Sequence, residues 1–124
     1  MTTKALHYAL WVAQILVCLT LLWAGSKKIF YPGEVLSAEW PWTGEVSSLF
    51  VKLTGVLDWT GAIGIIVPTL IPSFRKLTVV AAIGIIALMV SAIVFHILRG
   101  EVSVIGVNIF FSVIVSFIAW GRGK

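Results

Sequence analysis

The sequence predicts an all-α protein, an integral membrane four-helix transmembrane bundle, and three observations carry that prediction. Of its 124 residues, 60% are hydrophobic and only 11% are charged, with a mean hydropathy of +1.08. A soluble domain carries roughly 25% charged residues to cover its surface, so lipid must solvate most of this one. Four apolar runs reach or approach the ~20 residues that a bilayer requires. Basic residues sit singly or in pairs at the ends of those runs (Lys4, Lys27 with Lys28, Arg75 with Lys76, Arg99, Arg122, Lys124). That is the pattern of membrane topology, not of a nucleic-acid-binding face. The net charge of +4 therefore implies no nucleic-acid partner, and membrane lipid is the expected surround.

The chain reads as one transmembrane domain, 1–124, with spans at 5–25, 49–71, 77–98 and 102–120. The first run follows Lys4 and ends near Ala24, Gly25 and Ser26, which loosely imitates a secretory signal. It is too long for a signal core and has Gln14 at its middle, so it is read as a retained span. Its inward stripe follows steps of three and four through His7, Trp11, Gln14, Cys18, Leu21, Gly25 and Lys28. The connection 26–48 is an interfacial aromatic loop, with Trp40 and Trp42 among Pro32, Pro41, Gly33 and Gly44. Tryptophan and tyrosine at a span boundary lie on the membrane interface; the alternative is a lid over the bundle mouth. The second span carries Lys52 near its start, where it can snorkel, and Pro68 near its end, where it can kink the last turn. A tight turn through Pro72 leads to the third span, and Arg99, Gly100 and Glu101 connect it to the fourth. The pentapeptide AIGII occurs at 62–66 and 82–86; in so narrow a composition it reads as coincidence rather than a repeat.

The organising stretch is 55–68, where an acid, Asp58, sits well inside an apolar run. A carboxylate at the bilayer centre costs on the order of 2.5–3.5 kcal/mol even on lenient insertion scales. Gly55, Asp58, Gly61, Ala62 and Ile65 share one helical face, and small residues are where another helix packs closely. The acid is therefore expected to point into the bundle. At a rise of 1.5 Å per residue, Asp58 lies roughly 10 Å and Asn108 roughly 9 Å below the outer ends of their helices. His96 occupies the last turn of the third span at the same side, and Lys28, Arg99 and Glu101 ring the same mouth. Gln14 lies deeper. Asp58, His96, Asn108, Gln14 and Lys28 are the candidate ligand-binding or proton-relay residues. Trp40, Trp42, Arg99 and Glu101 are the candidate lid or interface.

With the N-terminus in the cytoplasm, that side has Lys4, Arg75, Lys76, Arg122 and Lys124 against Lys27, Lys28, Lys52 and Arg99 on the other. The excess of one favours both termini inside. A single cysteine, Cys18, excludes an internal disulfide and any Cys-x-x-C chemistry. His7 and His96 fall at opposite faces, so no haem is expected between them. No cluster of metal ligands stands at usable spacing, and no metal site is expected. No glycine-rich phosphate loop opens a helix after a strand, and the serines lack a histidine base near the bundle centre. No catalytic residue is assigned. What remains is a carboxylate near an imidazole, a pair able to relay protons or hold a polar head such as a quinone carbonyl or lipid hydroxyl.

The polar positions and glycines then fall in a familiar order. Gln14, Ala24, Gly25 and Lys28, then Gly55, Asp58, Gly61, Ala62 and Gly64, then Ala81, Ala82, Gly84, Met89, Ala92 and His96, then Asn108, resemble the DoxX-like membrane proteins over nearly the whole chain. The family's second helix more often has Glu where this chain has the shorter Asp58. The resemblance implies a four-helix membrane protein. Some relatives are similar to subunits of thiosulfate:quinone oxidoreductase or of other membrane oxidoreductase complexes, and more distant ones to receptor-assembly chaperones or sterol-binding bundles. The expected function is a subunit or accessory of a quinone-linked redox system in a bacterial inner membrane, with a membrane redox partner or a homo-oligomer. The alternatives are a binder or isomerase of a sterol-like lipophile, and a scaffold whose polar groups only fix helix register.

Overall fold

The computed structural model describes residues 3–124. In chain order it has α1 (Thr3–Phe30), α2 (Gly33–Glu39), a 3₁₀ turn at Pro41–Gly44, α3 (Ser48–Leu70), a 3₁₀ turn at Pro72–Phe74, α4 (Arg75–Leu98), a 3₁₀ turn at Val102–Val104, and α5 (Gly106–Arg122). The four long helices are each apolar and long enough to cross a membrane. They alternate in direction around a square in which α1 packs on α3 and α5, and α4 packs on α3 and α5. This leaves α1 diagonal to α4, and α3 diagonal to α5. One end of the bundle, the terminal side, holds the chain ends and the turn 71–74. The other, the loop side, holds residues 31–47 and 99–105.

Local chemistry sets the helix ends. Nothing between Ser26 and Phe30 breaks a helix, so α1 continues five residues past its expected end and stops before Pro32. Lys27 and Lys28 thereby occupy its last turn, where the helix dipole favours cations. The connection expected at 26–48 is correspondingly shorter and mostly helical. The Ser47 hydroxyl accepts the Phe50 N–H at 3.1 Å and caps α3. Pro68 is held within the last turn of α3, and Ile71 turns extended ahead of Pro72.

The core runs down the square's axis through Val17 and Leu21 of α1, Ala62 and Ile65 of α3, Ile85 and Met89 of α4, and Phe111, Val115 and Ile118 of α5. Large apolar side chains face outward, among them Leu16, Leu19, Val56, Ile63, Val80 and Phe110. That inversion is stable only in lipid. The inward stripe of α1 is Leu10, Ala13, Gln14, Val17, Leu21 and Gly25. The expected stripe is corrected at His7, which is exposed; Trp11, Cys18 and Lys28 are half-buried. Because α1 faces α3 on one side and α5 on the other, its buried face is centred between them.

Candidate functional site

Two glycines create the site. A Cβ on Gly25 would sit 2.8 Å from the Gly55 carbonyl oxygen and 3.1 Å from Asp58 Cβ, and one on Gly55 would sit 2.9 Å from both the Gly25 oxygen and Lys28 Cβ. Real Cβ atoms do not approach so closely, so only glycine lets the α1 and α3 backbones touch here. The contact brings Lys28 alongside Asp58, and Lys28 Nζ donates to Asp58 Oδ2 at 2.9 Å. Asp58 is only 3% exposed and the Lys28 side chain 16%. Trp59, next to the acid, donates its indole N–H to Ser26 Oγ at 3.2 Å, a second tie between the same helices.

The loop folds over this pair. Lys28 Nζ lies 5.8 Å from the centroid of the Trp42 ring, within reach of a cation–π attraction. The other rim of Trp42 meets α4, edge-on to Phe95 at 5.7 Å and to His96 at 6.5 Å. Trp42 thus spans the diagonal of the bundle from α1 to α4. No direct contact joins Asp58 to His96 among the described residues; Lys28 and Trp42 lie between them.

Gly100 supplies the next link. Its φ of +75° is the left-handed conformation that ends a helix. Glu101 N–H returns to the His96 carbonyl at 2.8 Å and Gly100 N–H to that of Ile97 at 3.0 Å, the paired bonds of a Schellman motif. The reversal folds Glu101 back onto α4, where Oε1 meets His96 Nδ1 at 3.0 Å and Arg99 Nε at 2.8 Å. Arg99 also pairs with Glu45 beside Trp42's turn. Arg99, and after it His96, hold the Glu101 carboxyl below the usual carboxylate range. Glu101 and Glu45 in turn push the Arg99 guanidinium above its ordinary value.

Trp40 stands elsewhere. It packs with Trp23 around Lys27, whose Nζ is 4.7 Å from each ring centroid, and Glu39 pairs with the same ammonium. Of the two tryptophans in this connection, Trp42 lies over the bundle mouth, while Trp40 clasps the outer flank of α1.

Gln14 also belongs to a different group. Its Nε2 donates to the Ile65 carbonyl at 2.6 Å and to Thr69 Oγ1 at 2.9 Å, and its Oε1 accepts from Arg122 Nε at 2.7 Å. It joins three helices toward the terminal side. Asn108 continues the buried stripe of α5 (Phe111, Val115, Ile118) and is half-buried on the loop side. Its backbone carbonyl accepts from Ser112 Oγ at 2.8 Å. Because α3 and α5 are diagonal, Asn108 faces Asp58 across the bundle rather than beside it. Two hollows open in the surface. One, of about 430 Å³, is apolar and lies between α3 and α4 along Gly61, Gly64, Ala81 and Gly84; the other lies at the terminal side. Neither is lined by Asp58, Lys28 or His96.

Three participants escape a reading of the sequence. Lys27 and Lys28 are adjacent and chemically alike, and only the geometry separates their roles. Glu45 meets Arg99 across 54 residues, and Arg122 meets Gln14 across 108. Separations of that length leave no local pattern. The Leu98, Arg99, Gly100 run is the one signal present, since glycine after a helix with basic last residues is a C-terminal stop.

A buried acid–base pair on a glycine-tight helix contact, inside four apolar antiparallel helices, defines an integral membrane four-helix bundle. Searches of curated proteins and of solved structures return no match. The model of the DoxX-like family matches residues 12–118, and the chain belongs to that family.

Proposed function

We propose that this protein is a small membrane subunit or accessory of a quinone-linked redox system, and that its loop-side polar cluster holds the quinone head group. One observation carries the reading: a hydrogen-bond donor and a hydrogen-bond acceptor, each with capacity to spare, flank one aromatic ring. Lys28 spends one of its three N–H donors on Asp58, and His96 uses Nδ1 on Glu101 with its other ring nitrogen free among the described contacts. Trp42 touches both. A quinone head group offers carbonyl acceptors on a flat ring and, once reduced, hydroxyl donors, so Lys28 donates, His96 Nε2 accepts and Trp42 supplies a stacking face. Asp58 aims the Lys28 ammonium, and Glu101 fixes the His96 ring. The isoprenoid tail leaves toward lipid between the helices. Electrons come from a partner redox protein, and the protein positions the head group for it.

The terminal side's excess of one basic residue supports placing both termini in the cytoplasm of a bacterial inner membrane. Decyl-ubiquinone titration with tryptophan quenching tests the site. Lys28→Gln and His96→Gln are each expected to weaken binding roughly tenfold, the loss of about one charged or aligned hydrogen bond. Undiminished binding in both variants sinks the proposal. A scaffold role is favoured by a separate observation, that Lys28 with Asp58 and Gln14 with Arg122 tie helices together; it predicts no quinone binding at all. A lipophile bearing a hydroxyl, such as a sterol-like lipid, would use the same groups and is separated by competing it against quinone.

A further inference from the structure

We infer that the terminal side of the bundle carries an anion site built for a phosphate group, at the opposite end from Asp58 and independent of the function proposed above. Arg75, Lys76, Arg122 and Lys124 line a hollow of about 640 Å³, floored by Pro72 and Val79. All five acids of the chain (Glu34, Glu39, Glu45, Asp58 and Glu101) belong to the loop half, so no acidic side chain neutralises these cations.

Two further observations point to an anion. Arg122 is held in place rather than loose: Nε donates to Gln14 at 2.7 Å, Nη1 lies 3.2 Å from His7 Nδ1, and the guanidinium sits 5.5 Å from the Trp11 ring centroid. Its Nη2 is buried with no hydrogen-bond partner among the described residues. Arg122 thus brings to the rim of the hollow a fixed positive charge that no acidic side chain neutralises. The first turn of α4 is the other sign. It holds Arg75 and Lys76, has no acidic residue and takes no side-chain cap from Phe74. Cations against the positive end of a helix dipole are unfavourable, and an anion nearby offsets them. A phosphate in the hollow offsets the positive helix end, the two flanking cations and the charge of the guanidinium together. Its place at the end of the spans is the depth of lipid head groups.

The test uses delipidated full-length protein in neutral detergent, mixed with equal amounts of phosphatidylglycerol and phosphatidylcholine and read by native mass spectrometry. Phosphatidylglycerol is expected to be retained in preference. Arg75→Gln and Lys76→Gln, both at exposed positions, are each expected to weaken that retention about fivefold. Lys4→Gln, a cation of the same side outside the hollow, is expected to leave it unchanged. Millimolar inorganic phosphate distinguishes the source: displacement of the lipid identifies free phosphate as the ligand, and persistence identifies the head group. Equal retention of the two lipids, or a Lys4→Gln loss as large as that of Lys76→Gln, would overturn the site.

Discussion

Lys28 Nζ and Asp58 Oδ2 stand 2.9 Å apart beside the close glycine contact of α1 with α3. Each charge exists in the apolar bundle because the other does. Removing one partner strands the other, at a cost of roughly 3–5 kcal/mol for a buried pair. Asp58→Leu and Lys28→Met are therefore each expected to destabilise strongly, while the double variant Lys28→Met with Asp58→Leu recovers most of the loss. Thermal unfolding of the four proteins in detergent reads the cycle. Additive losses would mean that the two side chains do not act as a pair.

The glycine contact upstream of that pair makes a sharper prediction. Gly55→Ala places a methyl 2.9 Å from the Gly25 carbonyl oxygen, and backbone cannot yield as a side chain does. The expected cost is about 1–3 kcal/mol, with the Lys28–Asp58 distance widened. Gly84→Ala in α4 is the control, since nothing lies within 4 Å of its Cβ. There alanine's better helix propensity, worth up to about 1 kcal/mol, leaves stability equal or raised. Comparable melting temperatures for the two variants would contradict the close approach.

Acid should loosen the loop-side clasp. Arg99 first, then His96, lower the folded-state pKa of Glu101 below its unfolded value. The sign follows from linkage: the stabilisation is complete above the unfolded pKa of about 4.3 and is lost as pH falls through the lower folded value. Glu101 is solvent-exposed in part, so the effect is small. A melting-temperature profile between neutral and strongly acidic pH should fall less steeply in Glu101→Gln than in wild type. Parallel profiles would remove Glu101 from the account.

Trp42→Ala separates lid from anchor. Trp42 touches Lys28, Phe95 and His96, whereas Trp40 touches Trp23 and Lys27. Quinone binding measured by mass spectrometry should drop on Trp42→Ala and survive Trp40→Ala. Equal effects would mean the connection acts as one interfacial layer without a lid.

Much of this was legible in the chain itself. Four spans, their turns and the inward face around Asp58 follow from apolar run length and from steps of three and four, because membrane helices leave few alternatives. Lys28 was placed at the mouth by the same spacing. The rest depends on geometry. Consecutive residues of a helix point roughly 100° apart, so Lys27 and Lys28 part company and take Trp40 and Trp42 with them. Gln14 and Arg122 meet because α1 and α5 are neighbours in the square, a fact that hydropathy does not encode. The sequence sets Gln14 deeper than Asp58, and its partners Ile65, Thr69 and Arg122 lie toward the terminal side.

The central claim is that the Lys28–Asp58 pair beneath Trp42 organises a site for a quinone head group. Native mass spectrometry of gently extracted wild type and Asp58→Asn tests it most directly. The account predicts one retained lipophile of quinone mass on the wild type and its loss from Asp58→Asn with the helical fold intact. A wild type that carries no small molecule, or an Asp58→Asn variant that retains the quinone equally, would contradict it.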